Sequence, residues 1–155
     1  MTGPREDWEA LVRAARPQDW AGPITFGVAP VEAAKRSGGR LVYVSTPLVL
    51  EGWQVSETVM IDAARAAAEL ARFRVAAVSP VVLGAAYLDV DMHLTIREPK
   101  SWARWVAPIR NAAGAIWVPA SRGWSRCPQV WADVQWAASH GVPVMVEAQE
   151  MRHGG

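Results

Sequence analysis

Four short apolar runs, Leu41–Val44, Val75–Val78, Ala115–Val118 and Val142–Glu147, constrain this chain more than any other feature. They favour β-branched residues and do not alternate polar with apolar positions, the pattern of strands buried on both faces. Such strands need a helical layer on each side, and helical segments fill the intervals. The segment from Val55 to Phe73 is rich in Ala, with Met60, Ala64, Ala67, Ala68 and Ala71 on the expected inner face. Ser101 to Asn111 places Trp102, Trp105, Val106 and Ile109 at helical spacing, with Ser101 as N-cap. Gln129 to His140 carries Val130, Val134, Ala137 and Ala138 as one stripe, with Trp131 beside it and Asp133 at its edge. Pro128 suits the first position of that helix and Gly141 its stop. The expected fold class is α/β: a three-layer sandwich around a parallel, four- to five-stranded, flavodoxin- or Rossmann-like sheet with helices on both faces.

The flanks read differently. Trp8, Leu11, Val12 and Ala15 make Arg5–Ala15 an amphipathic helix. Pro17 to Pro30 is punctuated by Pro and Gly, a connector with a brief extended piece at Ile24–Val28. Val31 to Arg36 is a short helix closed by Ser37-Gly38-Gly39. Residues 1–39 are thus an N-terminal helical arm and connector, and 40–150 the α/β domain, within one compact domain. Val81 to Pro99 loses any sustained period and reads as a long loop with helical pieces; loops of this length are usually functional or mobile. Met151–Gly155 is a polar, frayed tail.

Charge and composition exclude several classes of function. A formal net charge of +1 with scattered Lys and Arg gives no footprint for a nucleic-acid polymer or an anionic membrane. No apolar stretch approaches the roughly 18 residues of a membrane span. Cys127 is the only cysteine, so no internal disulfide or Cys-based zinc site is expected, and a reducing, cytoplasmic setting fits. His93, His140 and His153 lack ligand spacing, so no metal is expected. There is no dinucleotide fingerprint, no phosphate-binding Walker loop and no nucleophile elbow, so no cofactor is expected either.

In parallel sheets ligands bind outside the carboxyl ends of the strands. Here those ends are Ser45-Thr46-Pro47, the loop after Ser79-Pro80, and Ser121–Cys127, which includes Gly123, Trp124 and Ser125. Asp133 follows about a turn and a half into the last helix. It is either a solvated edge residue or an acid held against a pocket. Trp53 and Trp124 flank the same loops and either stack on a base or sit at a subunit interface; Trp8, Trp102, Trp105, Trp117 and Trp136 read as core or interface residues. A homo-oligomer is expected. Asp89, Asp91 and His93 alternate and face either solvent or a ligand.

Leu41-Val42-Tyr43-Val44-Ser45-Thr46-Pro47, Ser79-Pro80, and Gly123-Trp124 followed by Cys127, Val130, Asp133, Ala137 and Gly141-Val142-Pro143-Val144 carry one further signal. Over roughly Arg40 to Glu147 the chain resembles the nucleoside 2-deoxyribosyltransferase-like superfamily, and within it the DUF1937 family. Spacing is kept, with Cys127 where Ser is usual, Gln129 where Gly is usual and Asp133 where Glu is usual. The resemblance implies a nucleoside or nucleotide ligand and N-glycosidase or 2-deoxyribosyltransferase chemistry. Asp133 would be the nucleophile that captures an oxocarbenium-like centre, and Tyr43 would orient it. Ser45, Thr46, Pro47, Trp53, Gly123, Trp124, Ser125 and Cys127 would line the ligand site, and Asp89 or Asp91 would protonate the base. Cys127 at the helix start is either a simply buried thiol or one whose pKa is lowered and which holds a phosphate or sugar oxygen. Asp is one methylene shorter than Glu, and the alternative is a non-catalytic nucleotide-binding or assembly module on the same scaffold.

Overall fold

A strand of three or four residues with no exposed face survives only between two helical layers, and the middle of this chain is built that way. The computed structural model describes Trp8 and residues 24–147. The expected helix over Arg5–Ala15, Trp8 apart, and the tail Met151–Gly155 lie outside the described residues. In chain order the elements are β1 (Ile24–Val28), α1 (Pro30–Ser37), β2 (Val42–Val44), β3 (Leu50–Glu51), β4 (Gln54–Val55), α2 (Glu57–Ala71), β5 (Ala77–Val78), α3 (Pro80–Val90), α4 (Pro99–Ala112), β6 (Ala115–Val118), α5 (Pro128–His140) and β7 (Val144–Glu147).

Five strands pair in parallel in the order β1-β7-β6-β2-β5. The sheet is wound outward in both directions from β2, and its order reverses between β2 and β6, the position at which such folds open a crevice. Successive side chains alternate between the faces. Tyr43, Ile116, Val118, Val144 and Val146 pack with Val130, Val134 and Ala137 of α5. Val42, Val44, Ala115, Trp117 and Met145 pack with Ala33 of α1 and with Ala66 and Leu70 of α2. This is a three-layer α/β sandwich. A third cluster joins α2, α3 and α4 through Ala63, Leu88, Trp102 and Val106. There α3 comes so close to α4 that a Cβ on Gly84 would stand 2.7 Å from the Trp102 ring.

Several elements differ from expectation for identifiable reasons. The extended piece at Ile24–Val28 is the edge strand β1, paired with β7 through Ile24 opposite Val144, and Pro30 starts α1 in place of ending a connector. The segment after Ser79-Pro80 is the eleven-residue helix α3, not a loop with helical pieces. It is apolar nearly all round, so it shows no amphipathic period. Its start is fixed by Pro80 and by the Ser79 hydroxyl, which accepts from the Val82 N–H at 3.2 Å. α4 begins at Pro99, with Glu98 in the N-cap position expected for Ser101. In α2 the buried positions are Ala63, Ala66 and Leu70, a different face from the one expected. With Ala at six of its fifteen positions, α2 admits several stripes of small residues, and Leu70 decides between them.

Candidate active site

Because side chains on β2 alternate, Tyr43 and Ser45 point to one face and Val42 and Val44 to the other. The face of Tyr43 is the one covered by α5. On α5, Asp133 lies between Val130 and Val134, both fully buried, so the helix carries its carboxylate inward with the apolar stripe. Asp133 is only 7 % exposed. Its Oδ2 accepts a hydrogen bond from Ser45 Oγ at 2.7 Å, and its Oδ1 accepts from Arg110 Nη1 at 3.1 Å. The phenol of Tyr43 donates to the same carboxylate. Of the two readings open for Asp133, the geometry selects the acid held against a pocket.

Burial is the largest influence on this carboxyl and pushes its pKa above the ordinary carboxylate value; Ser45, the Arg110 charge and the Tyr43 phenol oppose that rise without cancelling it. Tyr43 is pushed well above its ordinary value, first by burial and then by the negative charge it faces, so its proton stays on the phenol. Arg110 reaches the carboxylate from α4. Its Cζ lies 4.9 Å from the centre of the Trp136 ring, and its Nε is buried without a hydrogen-bond acceptor among the described residues.

A cleft of about 90 Å³ opens beside this cluster. On the same measure one water needs about 10–15 Å³, so the cleft has room for several waters or for a small group of that size. Tyr43, Thr46, Arg110, Gln129 and Asp133 supply its polar wall, and Pro80, Val81, Trp102 and Val106 its apolar wall. The Thr46 hydroxyl is buried and unpartnered among the described residues, and Thr46 as a whole is 6 % exposed.

The expected site residues divide between this cleft and its surroundings. Tyr43, Ser45, Thr46 and Asp133 come together, with Pro47 buried next to them in the chain. Cys127 is 7 % exposed at the start of α5, where its Sγ–H is 2.9 Å from Gln129 Oε1. Its thiol pKa is raised, which selects the buried thiol over the one with a lowered pKa. Burial outweighs the backbone N–H groups of Val130 and Gln129 that the helix start aims at the sulfur, and Asp133 adds repulsion. Gly123 takes φ +73 ahead of the single turn Trp124–Arg126, and Trp124 packs edge-on against Trp8 at 5.2 Å between ring centres. Gly123, Trp124 and Ser125 stand outside the cleft wall, as does Trp53 in the turn between β3 and β4. Asp91 is exposed and accepts from the His93 backbone N–H at 2.9 Å, while Asp89 is 3.4 Å from Gln54; neither lines the cleft. Ser121 lines a second hollow on the α2 side of the sheet, with Asp62, Arg65, Glu69 and Glu147.

Sequence reading missed Arg110, and a signal was present. Trp102, Val106 and Arg110 recur at i, i+4, i+8 on α4, so a cation interrupts an otherwise apolar stripe and needs a buried partner. Trp102 was read as a core or interface residue and is both buried and part of the cleft wall. Among the described residues no group of three His, Cys, Asp or Glu side chains is placed to hold a metal ion, and no helix is long and apolar enough to cross a membrane.

No curated protein and no solved structure shows a significant match to the chain. A family described as a domain of unknown function, DUF1937, matches residues 40–149, the stretch that supplies Tyr43, Ser45, Arg110 and Asp133 and most of the sheet. The chain is therefore a member of the DUF1937 family.

Proposed function

We propose that the cleft beside Asp133 binds a nucleoside or nucleotide and cleaves its N-glycosidic bond, by hydrolysis or by transfer of the sugar to another base. The observation that carries this reading is the inward carboxylate of Asp133, held by Ser45 and Tyr43 at the edge of the cleft. A carboxylate so placed attacks the anomeric carbon as the bond to the base nitrogen breaks. The electrons of that bond leave with the base, and a glycosyl ester forms on Asp133. Water or a second base then attacks the same carbon and returns the carboxylate. Tyr43 and Ser45 are positioning residues that fix which oxygen lone pair faces the sugar. Among the described residues the cleft wall has no second carboxylate, so the departing base takes its proton from water.

The reading also draws on the resemblance to the nucleoside 2-deoxyribosyltransferase-like superfamily. It places a small molecule, not a nucleic-acid polymer, in the cleft of a cytoplasmic homo-oligomer. One observation favours a second reading, a binding module without turnover. Both oxygens of Asp133 are already engaged, and the Arg110 charge makes the carboxylate a weaker nucleophile. Incubation with ribo- and deoxyribonucleosides and their 5′-monophosphates, with and without an acceptor base, separates the two when base release is followed by chromatography. Release that disappears in Asp133→Ala supports catalysis. Ligand-dependent Trp fluorescence with no release from any substrate supports the module.

A further inference from the structure

Arg110 is the one cation in the cleft wall among the described residues. Its side chain is 17 % exposed, its Nη1 is committed to Asp133 at 3.1 Å, its face rests on Trp136, and its buried Nε has no acceptor there. The pair with Asp133 is neutral only while the carboxylate is ionised. Once Asp133 becomes an uncharged glycosyl ester, Arg110 is a largely buried cation with nothing to balance it, which is strongly unfavourable. The resting site has the converse problem, since the guanidinium holds an oxygen of the nucleophile. An anion carried by the substrate solves both, drawing the guanidinium's charge to itself as the carboxylate gives up its own. The anomeric carbon must meet Asp133, so that anion has to sit on the same sugar, and a guanidinium fork suits a phosphate.

We propose that Arg110 is an anion-responsive latch that selects sugar-phosphorylated substrates, nucleoside monophosphates over nucleosides. The inference rests on the reading of the cleft as an N-glycosidic site, and its test separates the two. Calorimetric titration of the full chain with deoxyuridine, its 5′-monophosphate, its 3′-monophosphate and inorganic phosphate measures the selection directly. The same titrations run on Arg110→Gln and on Arg110→Gln/Asp133→Asn, whose neutral pair folds without an orphaned charge. The expected result is a monophosphate bound about 10- to 100-fold tighter than the nucleoside, the worth of one charge-assisted hydrogen bond, with the advantage lost in both variants. The 5′ and 3′ arms identify which position the latch reads. Equal affinity for nucleoside and monophosphates, or an advantage that survives in the variants, overturns the latch whatever base release shows. A phosphate advantage with no base release from any substrate keeps the latch and overturns the glycosidic reading. No binding of any probe overturns both.

Discussion

Removing the cation from Arg110 while keeping an apolar side chain of similar reach tests the energetics of the cluster. In Arg110→Met, Asp133 loses the charge and the hydrogen bond that oppose its desolvation. Breaking one half of a buried ion pair costs about 3–5 kcal/mol, and with side chains 17 % and 9 % exposed we take the lower end, about 3 kcal/mol. For a chain of this length that lowers Tm by about 6–12 °C. The loss has a characteristic pH dependence. Asp133 has a raised pKa in the folded protein, so between the ordinary carboxylate value and the raised one the folded chain holds more protons than the unfolded chain. Stability therefore falls as pH climbs through that window and levels off above it. Without Arg110 the window extends to higher pH, so Arg110→Met costs less at pH 5 than at pH 7.5. Adding Asp133→Asn removes the orphaned charge and keeps an oxygen for Ser45 and Tyr43, leaving a residual of about 1 kcal/mol. Urea unfolding followed by Trp fluorescence at the two pH values measures each quantity. A loss below about 1 kcal/mol at pH 7.5, equal losses at both pH values, or no recovery in the double variant refutes the buried-pair argument.

Three further outcomes follow from single contacts. Tyr43→Phe removes one donor to Asp133 and destabilises by about 1 kcal/mol, with a further rise of the Asp133 carboxyl that carboxyl-carbon NMR titration detects. Gly84→Ala drives a methyl into the Trp102 ring, at the 2.7 Å approach between α3 and α4, and costs about 1–3 kcal/mol in urea unfolding because a core ring has to shift. Cys127, buried and with its thiol pKa raised, reacts with a thiol reagent at pH 7.5 far more slowly in the native protein than in urea; similar rates contradict its burial.

What the sequence made legible were the elements with one clear physical signature. β2 and β6 are buried on both faces, and their runs of Val, Ile and aromatic residues have no other good explanation. α5 is bounded by Pro128 and Gly141, two residues whose backbone constraints fit only a helix start and a helix stop. α3 was illegible because its exposed face, with Ala86, Tyr87 and Val90, is nearly as apolar as its buried one, so no polar face sets a period. The hairpin β3–β4 has two residues per strand, too short for alternation to register. β1 was legible only as an extended piece, since its place beside β7 is a long-range pairing that local pattern does not encode. Asp133 stood out as an acid at the edge of an apolar helical stripe, whereas Tyr43 was singled out only through the family resemblance. Their meeting with Ser45 could be anticipated only from the sheet, because Tyr43 and Ser45 share a face by strand alternation and α5 covers it. Arg110 enters from a different helix, 23 residues before its partner, and only a charge inside an apolar stripe pointed to it.

The nucleophile role of Asp133 is tested most directly by trapping the ester. A deoxynucleoside 5′-monophosphate with fluorine at the 2′ carbon slows departure of the sugar through an oxocarbenium-like transition state, so a glycosyl-enzyme accumulates if one forms. Peptide mapping by mass spectrometry should find one fluorosugar phosphate on the peptide that carries Asp133, and none in Asp133→Asn. Base release from the unmodified substrate with no sugar ever bound to that peptide contradicts the nucleophile.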